Sequence, residues 1–184
     1  MNSPAVVGVV IDTTTHKPVP QVSIVAAWGY YDRTAAGRQR AGKLAVYGTS
    51  TDDSGQFILK QWGPRTMLAI GRVPDDEPRV FLIKRGYEPR VVMIGSAVRR
   101  TIQLVPFNGS MQDYGTELDT FDGVLGGSIM LYQHPCYWTA VAPMATELEA
   151  ARQPVRQSGY GGSSSMLVAP SGLTDTCKAS HSVL

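Results

Sequence analysis

The chain has 184 residues, of which 43% are hydrophobic, enough for a real core in one domain with an appendage or in two small units. This hydrophobic fraction excludes a chain that is disordered throughout. Charged residues make up only 17%, and the 19 glycines and 12 prolines favour many turns and few long helices. We therefore begin from an all-β expectation.

The net charge of +2 is too small to indicate nucleic acid as a partner, but the charge is unevenly distributed. Residues 1–106 hold 14 of the 17 Lys and Arg and 8 of the 15 acidic residues, a net charge of +6. Residues 107–184 hold the other 3 basic and 7 acidic residues, a net charge of −4. We expect the two parts to attract each other, with at most about 1 kcal/mol from each exposed pair.

No segment approaches the roughly 20 apolar residues that span a bilayer. The first residues, Met1 to Pro4, lack the basic and apolar regions of an export signal. The sequence therefore predicts no transmembrane segment, and an export signal that was removed or never existed.

Short strands are predicted throughout the first 105 residues. Eight segments rich in aliphatic and β-branched residues are separated by turns marked by Gly and Pro. Since nothing between them has helical length, stacked antiparallel sheets are favoured over parallel βαβ units. Residues 29–43 interrupt the pattern with glycines and basic residues and are predicted to form an inserted loop. The predicted strands are 5–12, 22–28, 44–51, 57–61, 67–73, 80–84, 91–94 and 101–104.

The pattern changes after Pro106, which divides the chain into a predicted sandwich, residues 1–106, and an extension, residues 107–184. Residues 107–135 are rich in turn residues, with one apolar run, Val124 to Tyr132, that predicts a strand or a strand pair. One short helix is predicted at about 137–153, ended by Pro154. The Gly/Ser-rich segment from Arg156 onward is typical of a linker or an extended arm. The predicted helix face consists of Trp138, Val141, Ala145 and Leu148.

Three motifs occur in a fixed order. The first runs from Gly8 through Pro18-Val19-Pro20 to Val25, the second is Thr51-Asp52-Asp53-Ser54-Gly55-Gln56-Phe57, and the third is Gly86-Tyr87. This order resembles that of carboxypeptidase regulatory-like domains, over about residues 5–105. Gln21 stands where a glycine is common in the family, and the 29–43 loop is longer than usual.

The resemblance implies a transthyretin-like or prealbumin-like sandwich of seven or eight strands. The expected fold is thus mainly β, an Ig-like or transthyretin-like antiparallel β-sandwich with a C-terminal extension containing one short helix. Such modules support neighbouring catalytic domains, build surface appendages, or bind proteins and carbohydrates. They usually lie in the periplasm or outside the cell, and we expect that location here.

These expectations give three functional hypotheses. The first is a non-catalytic structural or accessory subunit of a larger protein assembly, without a cofactor. The second is a carbohydrate- or small-ligand-binding module with an exposed aromatic cleft around Trp28, Tyr30 and Tyr31. The third, with the least support, is a transthyretin-like hydrolase that would use His16 and His134.

Catalytic motifs are absent from the sequence: there is no HExxH, no GxSxG and no phosphate-binding loop. Cys136 and Cys177 are candidates for one disulfide, with two free thiols as an alternative. A third alternative is a zinc site in which His134 and His181 join the two cysteines. We predict no metal, and no enzymatic activity.

The 29–43 segment carries the candidate contact residues for a protein partner. It mixes aromatic and cationic side chains, which suits an acidic or a protein surface. The simpler alternative is a solvated hairpin without a partner. The candidate contact residues are Tyr30, Tyr31, Arg33, Arg38 and Arg40.

Overall fold

A computed structural model describes residues 3–35, 37–63, 72–75, 77–95, 99–129, 135–160 and 165–169. Within these ranges the chain forms eight strands, two α-helices and one 3-10 helix. The strands are β1 (Val6–Asp12), β2 (Ser23–Thr34), β3 (Gly37–Ser50), β4 (Gln56–Leu59), β5 (Arg72–Pro74), β6 (Arg79–Ile83), β7 (Arg90–Met93) and β8 (Arg99–Leu104). The α-helices are α1 (Met111–Ile129) and α2 (Trp138–Gln157), and the 3-10 helix is Pro135–Tyr137.

The strands form two sheets. The smaller sheet has the order β4-β1-β8, and the larger has the order β3-β2-β6-β7 with β5 paired to β2. Each of the eight predicted strands thus has a counterpart, although residues 67–71 of the predicted 67–73 strand lie outside the described residues. The expectation of wholly antiparallel sheets was wrong in one place, because β1 and β8 pair in parallel, with Val10 beside Ile102.

The two sheets enclose an apolar core, as expected of a sandwich. Alternate residues of β1 point inward, and Val6 and Val10 are buried while Val7 and Val9 are half-buried. They meet side chains from the larger sheet, including Ile24, which is buried completely. The structure is therefore mainly β, with two facing sheets and a helical C-terminal region.

The larger sheet is buried on both faces. Ile24, Ala26 and Leu82 face the sandwich core, whereas Phe81 and Ile83 belong to a second apolar cluster with the helices. In that second cluster the phenyl rings of Phe81 and Phe121 meet edge to face, 6.0 Å apart. The molecule therefore has three layers: the small sheet, the large sheet and a pair of helices.

The long helix α1 corrects the prediction of turns and a strand in residues 107–135. It begins where Ser110 and Asp113 cap it reciprocally: Ser110 Oγ accepts the Asp113 N–H at 3.1 Å and donates to Asp113 Oδ2 at 2.6 Å. Glycines at 123, 126 and 127 concealed the helical spacing of its apolar residues. The buried apolar side chains recur every three or four residues: Tyr114, Leu118, Phe121, Leu125 and Ile129.

Helix α2 is longer than the predicted 137–153 segment. It runs from Trp138 to Gln157 and includes Pro143 and Pro154, so Pro154 does not end it. The helix continues because its buried face continues through Val155, which packs into the second cluster. The prediction of a single short helix was therefore wrong in number and in length.

A buried ion pair joins the two helices. Arg152 Nη2 lies 2.9 Å from Asp119 Oδ1 and 3.0 Å from Asp122 Oδ2. Asp122 Oδ2 also accepts the Met166 N–H at 2.8 Å, and the next residue, Leu167, is buried among the helices. Residues 166 and 167 of the predicted linker or extended arm are thus held against α1.

The attraction expected between the oppositely charged parts stays a prediction. The helices meet the large sheet mainly through apolar side chains, and Arg152 is neutralised by acids of its own layer. The division into residues 1–106 and 107–184 stays a prediction. Among the described residues, no helix combines the length and apolarity needed to cross a membrane.

Candidate partner-binding hairpin

The motifs behind the resemblance converge at one end of the sandwich. Asp12 accepts the N–H groups of Thr14 and Thr15, both at 2.7 Å, and the hydroxyl of Tyr87 at 2.9 Å. The pKa of Asp12 is lowered, chiefly by the hydrogen bond from the Thr15 N–H and further by those from Tyr87 and Thr14. Burial acts in the opposite direction and raises the pKa. Burial, and then Asp12 itself, raises the pKa of Tyr87.

The second motif forms a tight turn beside this network. Thr51 Oγ1 accepts the Val22 N–H and donates to the Val19 carbonyl, both at 2.8 Å. Asp52 Oδ1 accepts from Ser54 and from the Gln56 N–H, and the Ser54 hydroxyl is the largest cause of its lowered pKa. The polar groups of this motif form hydrogen bonds with neighbouring residues of the turn and strands. We therefore assign these motif residues a structural role and not a ligand-binding role.

Residues 29–43 form the outer half of a long β-hairpin, which corrects the prediction of an inserted loop. Strands β2 and β3 pair continuously from Ser23↔Ser50 to Thr34↔Gly37, with register shifts after Trp28 and after Tyr30. The bulges absorb the irregular glycine-containing sequence without ending the ladder. At the tip, Thr34 Oγ1 donates to the Gly37 carbonyl at 3.0 Å.

The hairpin extends past the rest of its sheet. Strand β6 pairs with β2 only as far as Ala27, and β5 flanks residues 30–32. Beyond Asp32, β2 pairs with β3 alone among the described residues. Among the described residues, the last rows of the hairpin therefore form a two-stranded ribbon.

The register sorts the candidate contact residues onto two faces. Tyr31 pairs with Arg40 and Arg33 pairs with Arg38, so these four residues occupy alternate rows and share one face. Tyr30 pairs with Gly42 and lies on the other face. The hairpin thus brings four of the five predicted residues together and separates the fifth.

This face, which we call the arginine face, consists of Tyr31, Arg33, Arg38 and Arg40. It holds three cations and no acid, since Asp32 belongs to the opposite face, beside Arg72 of β5. Arg33 and Arg38 are partners in the backbone register, so two cationic residues occupy one row of the hairpin. An acidic surface would complement that row.

The aromatic cleft of the second hypothesis is not formed. Trp28 is only 3% exposed and packs edge to face against Tyr47 and Trp62, each with ring centroids 5.9 Å away. Its indole is part of the sandwich core and offers no platform to a ligand. Sequence position alone could not distinguish it from its neighbours Tyr30 and Tyr31, because β2 is buried on both faces up to Gly29.

The residues of the other hypotheses do not meet at a described site. His16 lies exposed in the turn after β1, with φ of 57°. Cys136 lies in the 3-10 helix, and the remaining candidates His134, Cys177 and His181 lie outside the described residues. Across the described ranges, no group of three metal-ligating side chains occurs. The Cys136–Cys177 pairing stays a prediction.

The sequence of residues 31–40 contains a pattern that predicts the arginine face, although the glycines of this segment suggest a loop. The pattern Tyr31-x-Arg33, then a turn, then Arg38-x-Arg40 has the two-residue period of a strand on both sides of the turn. A register with the turn at residues 35 and 36 places all four residues on one face. The glycines at 29, 37 and 42 obscured this pattern, because they are typical of loops.

Comparisons with known proteins leave the family of this chain open. A scan against models of protein families finds no match, and a search of curated proteins finds no relative. A matching solved structure is the C-terminal domain of the shaft pilin SpaA from Lactobacillus rhamnosus GG. It is 11% identical, and the match covers 58% of this chain and 99% of that one with a TM-score of 0.33. A score this low supports no conclusion about fold or function.

Proposed function

We propose that this protein is a non-catalytic structural or accessory subunit that binds a protein partner through the arginine face of its hairpin. The observation that carries the proposal is the pairing of Arg33 with Arg38 in one row near the tip of the hairpin. An acidic partner that lies against this row would be attracted by both cationic residues.

The form of the ribbon also suits a contact with protein. Among the described residues, β2 pairs only with β3 beyond Asp32, and Tyr31 supplies an aromatic residue in the row next to the paired arginines. Interfaces are enriched in Tyr and Arg because these side chains combine apolar area with directional hydrogen bonds. The partner we propose therefore presents carboxylates to the ribbon.

The sandwich serves as the scaffold in this proposal. The hydrogen bond between Asp12 and Tyr87, with the Thr51 turn beside it, supports a carboxypeptidase regulatory-like module of transthyretin-like type. Such modules act beside other domains or subunits, in the periplasm or outside the cell, and we extend that role and that location to this chain.

The test is purification of the tagged protein from its native source under mild conditions, with mass spectrometry of the proteins that accompany it. We expect a stoichiometric partner with wild-type protein. The Arg33→Glu/Arg38→Glu variant should lose that partner, because two attractive contacts become repulsive. The matched Arg33→Lys/Arg38→Lys variant keeps the charge and should retain most of the partner.

Two results would overturn the proposal. One is wild-type protein that purifies as a clean monomer under every mild condition. The other is a stoichiometric partner retained equally by the Glu and Lys variants, since the arginine face would then have no role. Circular dichroism of each variant verifies that the fold is intact.

A further inference from the structure

A groove lies on the side of the molecule where the end strands of the two sheets run next to each other. Strand β7 ends the large sheet, at the edge opposite β3, and β8 ends the small sheet. Just outside these strands the main chains meet, since the Glu88 N–H donates to the Val105 carbonyl at 2.9 Å. Two residues away in each segment, the Gln103 carbonyl accepts from Arg90 Nη1 at 2.7 Å. A side chain therefore bridges the strands where, among the described residues, their main chains form no pairing.

This groove has a volume of about 320 Å³, an apolar floor and a cationic rim. Ile94 and Ile102 are buried at the floor, whereas Met93 is 52% exposed. Arg90 and Arg100 also line the groove, and none of the described acidic side chains does. The groove thus offers aliphatic surface beside two guanidinium groups, which donate hydrogen bonds and accept none.

The described acids do not cancel the positive charge of the groove. Neither Arg90 nor Arg100 forms an ion pair with a described acid. Glu77 lies near, because a Cβ added at Gly95 would be 2.7 Å from Glu77 Oε1 and 3.0 Å from Arg100 Nη2. Counting Glu77, two arginines stand against one glutamate, a net charge of +1. A further carboxylate is therefore attracted to the groove.

We propose that this groove binds a glutamate or aspartate side chain of a partner protein, presented on an extended segment with an apolar residue next to it. A guanidinium group binds a carboxylate through two parallel hydrogen bonds, which suits Arg90 and Arg100. The apolar neighbour of the carboxylate would cover Met93 and pack toward the floor of the groove. Because Met93 is exposed at the rim, the groove suits a protein surface better than a small molecule, which needs an enclosing pocket.

The inference goes beyond the proposed function, because it gives the protein a second contact surface. Strands β3 and β7 are opposite edges of the large sheet, so the groove and the arginine face of the β2–β3 hairpin are separate. A subunit with two such surfaces contacts two neighbours at once, or one partner at two places. Substitutions at one surface should therefore leave binding at the other intact.

A short labelled peptide that alternates valine and glutamate is the probe, and the same peptide with lysine in place of glutamate is its control. We expect fluorescence anisotropy to show that the acidic peptide binds the full-length protein at about 0.01 M salt, where the Debye length is about 30 Å. Binding should weaken at about 1 M salt, and the basic peptide should bind at least about tenfold more weakly. Equal binding of the two peptides, or no binding of the acidic peptide up to about 1 mM, contradicts the inference.

Charge-reversed variants separate the groove from the arginine face. Arg90→Glu/Arg100→Glu should raise the dissociation constant of the acidic peptide at least about tenfold, whereas Arg33→Glu/Arg38→Glu should leave it unchanged. Arg100→Glu alone keeps the bond from Arg90 to the Gln103 carbonyl and should still weaken binding at least about threefold. Thermal melting verifies that each variant is folded. If only Arg33→Glu/Arg38→Glu weakens binding, the peptide occupies the arginine face and the groove inference is wrong.

Chemical-shift mapping by NMR then locates the bound peptide on the wild-type protein. We expect the acidic peptide to shift the amide signals of Ile94, Thr101 and Gln103, and the basic peptide to leave them unchanged. Shifts confined to residues 31–40 would overturn the groove as the binding site. The proposed function is decided separately, by the native-source experiment with the Arg33 and Arg38 variants.

Discussion

The two faces of the large sheet are covered by different layers. One face meets the small sheet around Val10 and Leu104, and the other meets α1 and α2 around Phe121 and Leu148. Each layer buries the centre of its side of the sheet: Leu82 on one face and Ile83 on the other have no exposed surface. The helices therefore bury apolar residues of the large sheet, as the small sheet does on the opposite face.

The largest effects are expected from substitutions of two neighbouring core residues, one facing the small sheet and one facing the helices. Leu82→Ala opens a cavity toward the sandwich, and Ile83→Ala opens one toward the helices. We expect each to lower the free energy of unfolding by about 2–5 kcal/mol, measured by urea denaturation. If the helices were a loosely attached extension, Ile83→Ala would cost far less than Leu82→Ala, and the three-layer core would be wrong.

A smaller effect is expected where α2 meets β3 most closely. A Cβ added at Gly48 would lie 2.0 Å from the Ala140 carbonyl oxygen, so Gly48→Ala must displace the helix. We expect a loss of about 1–3 kcal/mol in the free energy of unfolding. Gly127→Ala is the matched control, since a Cβ there meets nothing within 4 Å.

The control should change stability in the opposite direction. Gly127 lies in α1, where alanine is favoured over glycine by roughly 0.5–1 kcal/mol. A gain with Gly127→Ala and a loss with Gly48→Ala, both measured by urea denaturation, would support the docking of α2. Equal effects of the two substitutions would show that α2 does not approach Gly48 so closely.

The smallest effect concerns the turn network and depends on pH. The folded pKa of Asp12 is lowered from 3.8, chiefly by the Thr15 N–H, so its ionised form stabilises the folded state. That contribution is fully present above pH 3.8 and is lost as the pH falls through the lower folded pKa. Asp12→Asn should therefore destabilise the protein near neutral pH and much less near about pH 2.

Unfolding by urea at the two pH values checks this prediction. Asp53→Asn, in the exposed turn before β4, provides the control. A deficit of Asp12→Asn that is the same at both pH values would mean that the carboxylate charge is not what stabilises the turn.

The sandwich could be predicted from the sequence because its signals are local. The alternation in β1 and the turn residues Asp52 and Gly55 act over a few neighbouring positions. Gln21, where the family commonly has glycine, has φ of 55°, a conformation that favours glycine. The backbone at Gln21 therefore has the conformation for which the family commonly uses glycine.

Of the two helices, α2 was predicted and α1 was missed, as was their packing against the large sheet, although the sequence contains an indication of that layer. The runs Ser23 to Trp28 and Val80 to Ile83 are apolar nearly throughout, which is typical of strands covered on both faces. In a two-layer sandwich the outer face of β2 would be polar. Ala27 and Phe81 therefore required a third layer, which could only come from elsewhere in the chain or from a partner.

The arginine face was predicted in its residues but not in its geometry. Composition identified Arg33, Arg38 and Arg40, whereas their common face depends on a pairing register set by two bulges and the turn. A shift of one residue in that register would place Arg33 opposite Gln39. Only the folded hairpin shows that the cations stand opposite each other.

Hydrogen–deuterium exchange of the assembly purified from its native source tests the central claim most directly. Compared with the free protein, we expect slower amide exchange on binding in residues 31–40 and unchanged exchange in β1 and β4. Since these residues pair only with each other beyond Asp32 among the described residues, their amides have protection to gain from a partner. Protection confined to the small sheet, with the hairpin unchanged, would contradict the assignment of the arginine face as the binding surface.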